Sequence, residues 1–210
     1  MRRRTSADEN MLKMKNVTRK KFDFIKVKYG HFASWAVWAH EVETPKSNMG
    51  DLTVLDPEIN KNLLSELNPN VIMVALNFSK NVKHEQWGNF HSNRPMATDY
   101  KTRYALRGSS LWGAYMTDII KDYPEKESDK VIEFLKHNKA IEEKNVEFFR
   151  QELRDIGAPD PLLVAFGNAV FDILKRYFKG EFKIIKIPHY AHFISKEKYR
   201  EQVVLAVNDL

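Results

Sequence analysis

The 210 residues carry 34 Lys and Arg against 28 Asp and Glu, a formal charge of +6 at pH 7, and 43% of them are hydrophobic. That composition excludes a disordered chain, and no apolar run approaches the roughly 18 residues that a membrane span needs. The absence of cysteine removes disulfides, thiolate nucleophiles, cysteine-bound zinc and cysteine-held iron–sulfur clusters together.

The length suits one domain, read as a basic, disordered lead-in over residues 1–20 and a single domain over 21–210. The opening "MRRRTSADEN" leads into a lysine-rich segment rather than an apolar signal core, so the expected protein is soluble, monomeric and cytoplasmic, with no membrane partner. The excess of cations favours anionic partners; a solvated basic face is an equally good reading of Lys13 to Lys28.

In chain order, "HFASWAVWAHEV" (31–42) suits a strand or an aromatic plug, and "TPKSNMGD" a turn-rich loop. "DPEINKNLLSELNPN" has Asp56 as a cap, Pro57 at the first helical position and Asn68–Pro69 as a stop, which predicts a helix of about three turns. "VIMVAL" (71–76) is a continuous apolar run ending at Asn77, the pattern of a strand buried on both faces of a parallel sheet. "LWGAYMT" (111–117), "LLVAF" (162–166) and "FKIIKI" (182–187) are similar runs.

Helical patterns separate these runs. "SDKVIEFLKHNKAIEEKNVEFFRQELRDIG" reads as one long helix or two, capped by Ser128 and stopped by Gly157. "NAVFDILKRYFKG" spaces Val170, Ile173, Leu174, Tyr177 and Phe178 along one helical face and stops at Gly180. Alternation of this kind predicts a three-layer α/β/α domain around a mostly parallel four-stranded sheet, with its ligand beyond the carboxyl ends of the strands. Asn77, Asp118, Gly167 and His189 follow the four runs there.

This series resembles the uracil-DNA glycosylase superfamily over roughly residues 71–195. "ALNFS" is similar to that family's Gly-X-Asn-Pro-Gly motif, keeping Asn77 but neither glycine nor the proline; "HYAHF" is similar to His-Pro-Ser-Pro-Leu, keeping His189 and an apolar Phe193. "AYMTDIIK" matches a strand that ends in Thr-Asn, with Asp118 in place of the asparagine, and "PLLVAFGNAV" matches the strand, glycine turn and helix. The lack of cysteine points to the cluster-free mismatch-specific and single-strand-selective branches.

The resemblance implies hydrolysis of the N-glycosidic bond of a damaged or mismatched base, in single-stranded DNA or a mismatched duplex, without a cofactor or metal. Asn77 would orient water and His189 would stabilise the departing base, while Phe78, Phe90, Asp118 and Phe193 would contact the base and Lys80 and Lys196 the DNA backbone. An ionised Asp118 only accepts hydrogen bonds and so fits a uracil edge poorly. Two alternatives stay open: a nucleic-acid-binding protein that has lost catalysis, and a hydrolase of free nucleosides or nucleotides. Taken singly, Asn77 and His189 read equally well as a turn residue and a strand-end residue.

Overall fold

The computed structural model describes residues 17–78 and 85–208. In chain order these form α1 (Arg19–Tyr29), β1 (Ala33–Trp35), a 3₁₀ turn (Leu52–Leu55), α2 (Leu63–Glu66), β2 (Asn68–Asn77) and α3 (Asp99–Leu106). There follow β3 (Ala114–Ile120), α4 (Ser128–His137), α5 (Lys139–Ile156), β4 (Leu162–Phe166), α6 (Asn168–Phe178), β5 (Ile184–Ile187) and α7 (Lys196–Asn208). Among the described residues no helix is long and apolar enough to cross a membrane.

The strands make one sheet in the order β1-β3-β2-β4-β5, parallel except for β1. The expected four parallel strands are therefore joined by a fifth, and the sheet is mixed. β1 pairs antiparallel with β3, Ala33 opposite Thr117 and Trp35 opposite Tyr115. At three residues it is too short for its period to be read from the sequence.

β2 occupies the centre, and its apolar run is continuous because both faces are covered. Ile72 and Val74 enter one core with Phe22 of α1, Leu135 of α4, Phe149 of α5 and Ile173 of α6. Val71 and Met73 enter the other with Leu106 of α3 and Tyr199 of α7. Helices thus lie on both faces of the sheet, as an α/β architecture requires.

Several local expectations are corrected, and one open alternative is resolved. The predicted helix over Asp56–Leu67 shrinks to Leu63–Glu66, because asparagine and aspartate side chains capture the backbone first. Asp56 Oδ1 accepts from Glu58 N–H at 2.8 Å, Asn60 Oδ1 from Asn62 N–H at 3.2 Å, and Asn60 Nδ2 donates to the Val54 carbonyl at 3.1 Å. The long helical stretch, open in the sequence to one helix or two, resolves as two, broken at Asn138 with φ −132° and ψ 59°. Of the lead-in expected to be disordered, residues 1–16 lie outside the described residues, whereas Arg19 and Lys20 belong to α1, capped by Thr18 Oγ1 on Lys21 N–H.

β3 begins and ends three residues later than expected, running Ala114–Ile120 instead of 111–117. Its start is set by Gly113, whose φ is +78° and whose absent side chain leaves room for the Glu66 carbonyl. An added Cβ would stand 1.9 Å from that oxygen. Gly113→Ala is expected to lose about 2–4 kcal/mol in urea unfolding, left-handed strain and overpacking together. Gly108 has φ +74° and open space, with nothing within 4 Å of where a Cβ would stand, so Gly108→Ala isolates the strain alone, about 1 kcal/mol. Equal losses at the two positions would show that the backbone contact at Gly113 is unimportant.

Candidate active site

β3 and β4 flank β2 on opposite sides, so the chain leaves the centre of the sheet in one direction and returns to it from the other. A crevice forms at the carboxyl ends of strands at such a reversal, since the loops there diverge. A cavity of about 740 Å³ opens at that edge. Its size falls within the range of small-molecule sites.

Asn77, Phe78, Phe90, Asp118 and His189 all line it. Asn77 is the last residue of β2 and His189 stands two residues beyond β5, with β4 between them. Two strand spacings separate these positions by about 10 Å, room for a flat ring to enter edge-on.

The hydrogen bonds of Asn77 fix which way its amide faces. Nδ2 donates to the carbonyls of Glu125 at 2.8 Å, Tyr123 at 3.0 Å and Phe78 at 3.2 Å. Three acceptors around one atom identify it as the nitrogen. Oδ1 is left as the atom that offers lone pairs to a ligand or a water.

His189 is fixed in the same manner. Ala191 N–H donates to its Nδ1 at 3.1 Å, and burial pulls its pKa down to about 4. At neutral pH the ring is therefore uncharged, Nδ1 accepts, and the proton sits on Nε2. The ring stacks on Tyr190 at 4.3 Å between centroids. Gly167, with φ +86°, keeps the end of β4 clear, a Cβ there meeting His189 Cβ at 3.7 Å.

The loop that carries Phe90 is strained. Trp87 and Phe90 both have positive φ, 70° and 66°. Strain of this sort costs on the order of 1–2 kcal/mol per residue and persists only where surroundings enforce it. Here Trp87 N–H donates to the Gly30 carbonyl at 2.7 Å, and Trp38 Nε1 donates to the Phe90 carbonyl at 3.1 Å. Phe90 is 5% exposed and lies near-parallel to Phe166 at 6.4 Å, so it forms wall rather than a free-standing platform.

Asp118 is inside β3 rather than just past its end, and it is 2% exposed. A charged residue reads in a sequence as the end of a strand; here the carboxyl is buried and accepts from Asn89 Nδ2 at 2.8 Å. Burial pushes its pKa up to about 7, opposed by the Asn89 hydrogen bond and by Lys121.

Two of the expected contacts, Phe193 and Lys196, are not brought to the cavity. Phe193 is fully exposed, because the turn after β5 directs Ile194 inward against the α3 and α7 core instead. Lys196 begins α7, 2.6 Å from Glu197 and 3.9 Å from the centre of the Tyr104 ring. Lys80 lies outside the described residues.

Asn89, Asp99 and Tyr190 are wall residues that the sequence did not single out. Asp99 at the start of α3 has the look of a capping residue, yet it is 8% exposed and burial raises its pKa. Tyr190 stands among the Asp99 and Asp118 carboxyls, which with burial hold its hydroxyl pKa well above the ordinary value. Among the described residues the acids of the lining, Asp99, Asp118, Glu125 and Asp129, outnumber the cations Arg94 and Lys126. Among them, too, no three His, Asp or Glu side chains gather to hold a metal ion.

Fold and cavity together define the class: an α/β protein whose cavity sits where a mixed, mostly parallel sheet reverses its strand order. No family model matches the chain, and comparison with curated proteins and with solved structures gives no match either.

Proposed function

We propose that the protein hydrolyses the N-glycosidic bond of a base swung out of DNA, as its resemblance to the uracil-DNA glycosylase superfamily implies. One observation carries this reading. The amide of Asn77 and the imidazole of His189, 112 positions apart in the sequence, line one cavity, the first offering an acceptor and the second an N–H.

The chemistry asks for that pair. As the glycosidic bond breaks, its electrons go to the base, which leaves as an anion, and C1′ becomes cationic. Nε2–H of a neutral His189 would donate to the oxyanion of the base without the cost of burying an ion pair. Oδ1 of Asn77 would hold the attacking water; the cationic sugar needs little base strength to capture it, and the proton the water loses neutralises the departed base anion. Extruding the base costs a few kcal/mol, least at a mismatch or in a single strand.

Oligonucleotides containing uracil, hypoxanthine or a mismatch are expected to yield alkali-labile abasic sites. Asn77→Ala is expected to slow their formation about 100-fold. Strand cleavage at an unchanged rate in that variant would remove Asn77 from the mechanism, and no cleavage by the unaltered protein would remove the hydrolytic reading.

The acid-rich lining favours a second reading, because carboxylates repel phosphates but tolerate an uncharged nucleoside. On that reading free nucleosides turn over at the same pair of residues, and oligonucleotides do not bind.

A further inference from the structure

Asp118 occupies an unusual position for a carboxyl group. It lies within β3, almost fully buried, and lines the cavity. Its Oδ2 accepts from Asn89 Nδ2 at 2.8 Å, and Asn89 is itself anchored by donating to the Phe32 carbonyl at 2.7 Å. One oxygen is therefore committed to a neutral donor, and Oδ1 remains to meet a ligand.

The surroundings supply little to hold a negative charge. Lys121, three residues along the chain, turns Nζ to the Asp118 backbone carbonyl and to Glu152 of α5 at 2.8 Å, so its charge is already paired. On the cavity side, Asp99 of α3 and Tyr190 beyond β5 add acidic or phenolic groups, and the nearby His189 is uncharged at neutral pH. A buried carboxyl with a single neutral donor, and with Glu152 near enough to oppose its charge, retains its proton more readily than one in water. The shift of its pKa to about 7 agrees with that balance.

We propose that Asp118 recognises its ligand as a carboxylic acid, pairing with a lactam edge, the N–H beside C=O that uracil and hypoxanthine present. The inference rests on the reading that the cavity takes a nucleobase. Oδ1–H donates to the base carbonyl, while Oδ2 uses its second lone pair to accept from the base N–H. The acid thereby reproduces the donor and acceptor of an asparagine amide, and the mismatch between an aspartate and a uracil edge disappears. Ionisation removes the donor and sets an anion against the base carbonyl, so ligand affinity becomes dependent on pH.

Calorimetric titration with 1-methyluracil tests this, with 1,3-dimethyluracil, which lacks the lactam N–H, as the comparison. Since only the protonated fraction binds, affinity is expected to be about 30-fold weaker at about pH 8.5 than at about pH 5.5. Asp118→Asn, which keeps a donor beside an acceptor, is expected to bind with no such dependence, and 1,3-dimethyluracil to bind neither protein. Affinity of the unaltered protein that stays level or rises with pH, equal binding of the dimethyl compound, or no binding of 1-methyluracil at any pH would overturn the proposal. Abasic-site formation is a separate readout: product from uracil-containing DNA alongside pH-independent binding sinks the role of Asp118 and leaves the hydrolytic reading standing.

Discussion

On the proposed hydrolytic reading, alanine at His189 is expected to slow base release about 100- to 1,000-fold, the loss of about 3–4 kcal/mol that follows removal of one preorganised donor from an oxyanion. The imidazole is suited to that task because Ala191 N–H occupies Nδ1 and places the proton on Nε2. A pH profile separates this role from that of a titrating acid. With the His189 pKa lowered to about 4, the ring keeps the same protonation state throughout the neutral range. Measured in an Asp118→Asn background, which removes the carboxyl titration, single-turnover rates should therefore show no limb near the ordinary histidine value of about 6.5. A limb there, or an alanine variant as fast as its parent, would remove His189 as the electrostatic partner of the leaving base.

The second large effect is on stability. Glu152→Ala is expected to cost about 3–5 kcal/mol, because it leaves a buried ammonium without its counter-ion. Glu152 is fully buried on α5, where Oε1 accepts from the Tyr115 hydroxyl at 2.7 Å and from Thr117 Oγ1 at 2.9 Å. Lys121 Nζ lies 2.8 Å from the other oxygen and near the rings of Phe148 and Phe149, at 5.4 and 5.8 Å from their centroids. The pair fastens α5 to the end of β3 directly behind Asp118. Urea unfolding reads the loss, and the double change Glu152→Leu with Lys121→Met should recover only the share that falls on the ammonium, since the Tyr115 and Thr117 hydroxyls stay without their acceptor. A Glu152→Ala protein within about 1 kcal/mol of its parent would mean that water reaches Lys121 and that the network is not closed.

What could be read from the residues alone follows from which forces are local. "VIMVAL" and "LLVAF" announce central strands because burial on both faces demands an unbroken apolar run, and α6 is legible because its apolar stripe and its Gly180 stop lie within a few turns of each other. Asn77 and His189 are legible as chain ends of such runs, and they meet at one cavity. The rest depends on partners far away in sequence. Asp118 looks like the end of a strand until Asn89, 29 residues earlier, is seen to solvate it. Asp99 looks like a helix cap until its burial is known, and the stretch 31–42, read as a strand or an aromatic plug, is settled as the strand β1 over Ala33–Trp35 only by its pairing with β3. The helix expected from Asp56 fails for the opposite reason: side-chain hydrogen bonds more local than the helical ladder win.

β1 has a consequence beyond geometry. β3 is apolar along nearly all its length and buried at every position, and without β1 one row of its amide and carbonyl groups would have no partner. Bare rows of that kind recruit other chains and seed aggregation. Ala33, Ser34 and Trp35 act as a shutter over the middle of that row, Thr117, Met116 and Tyr115, so the segment that precedes the cavity-forming strands also closes an edge that would otherwise stand open.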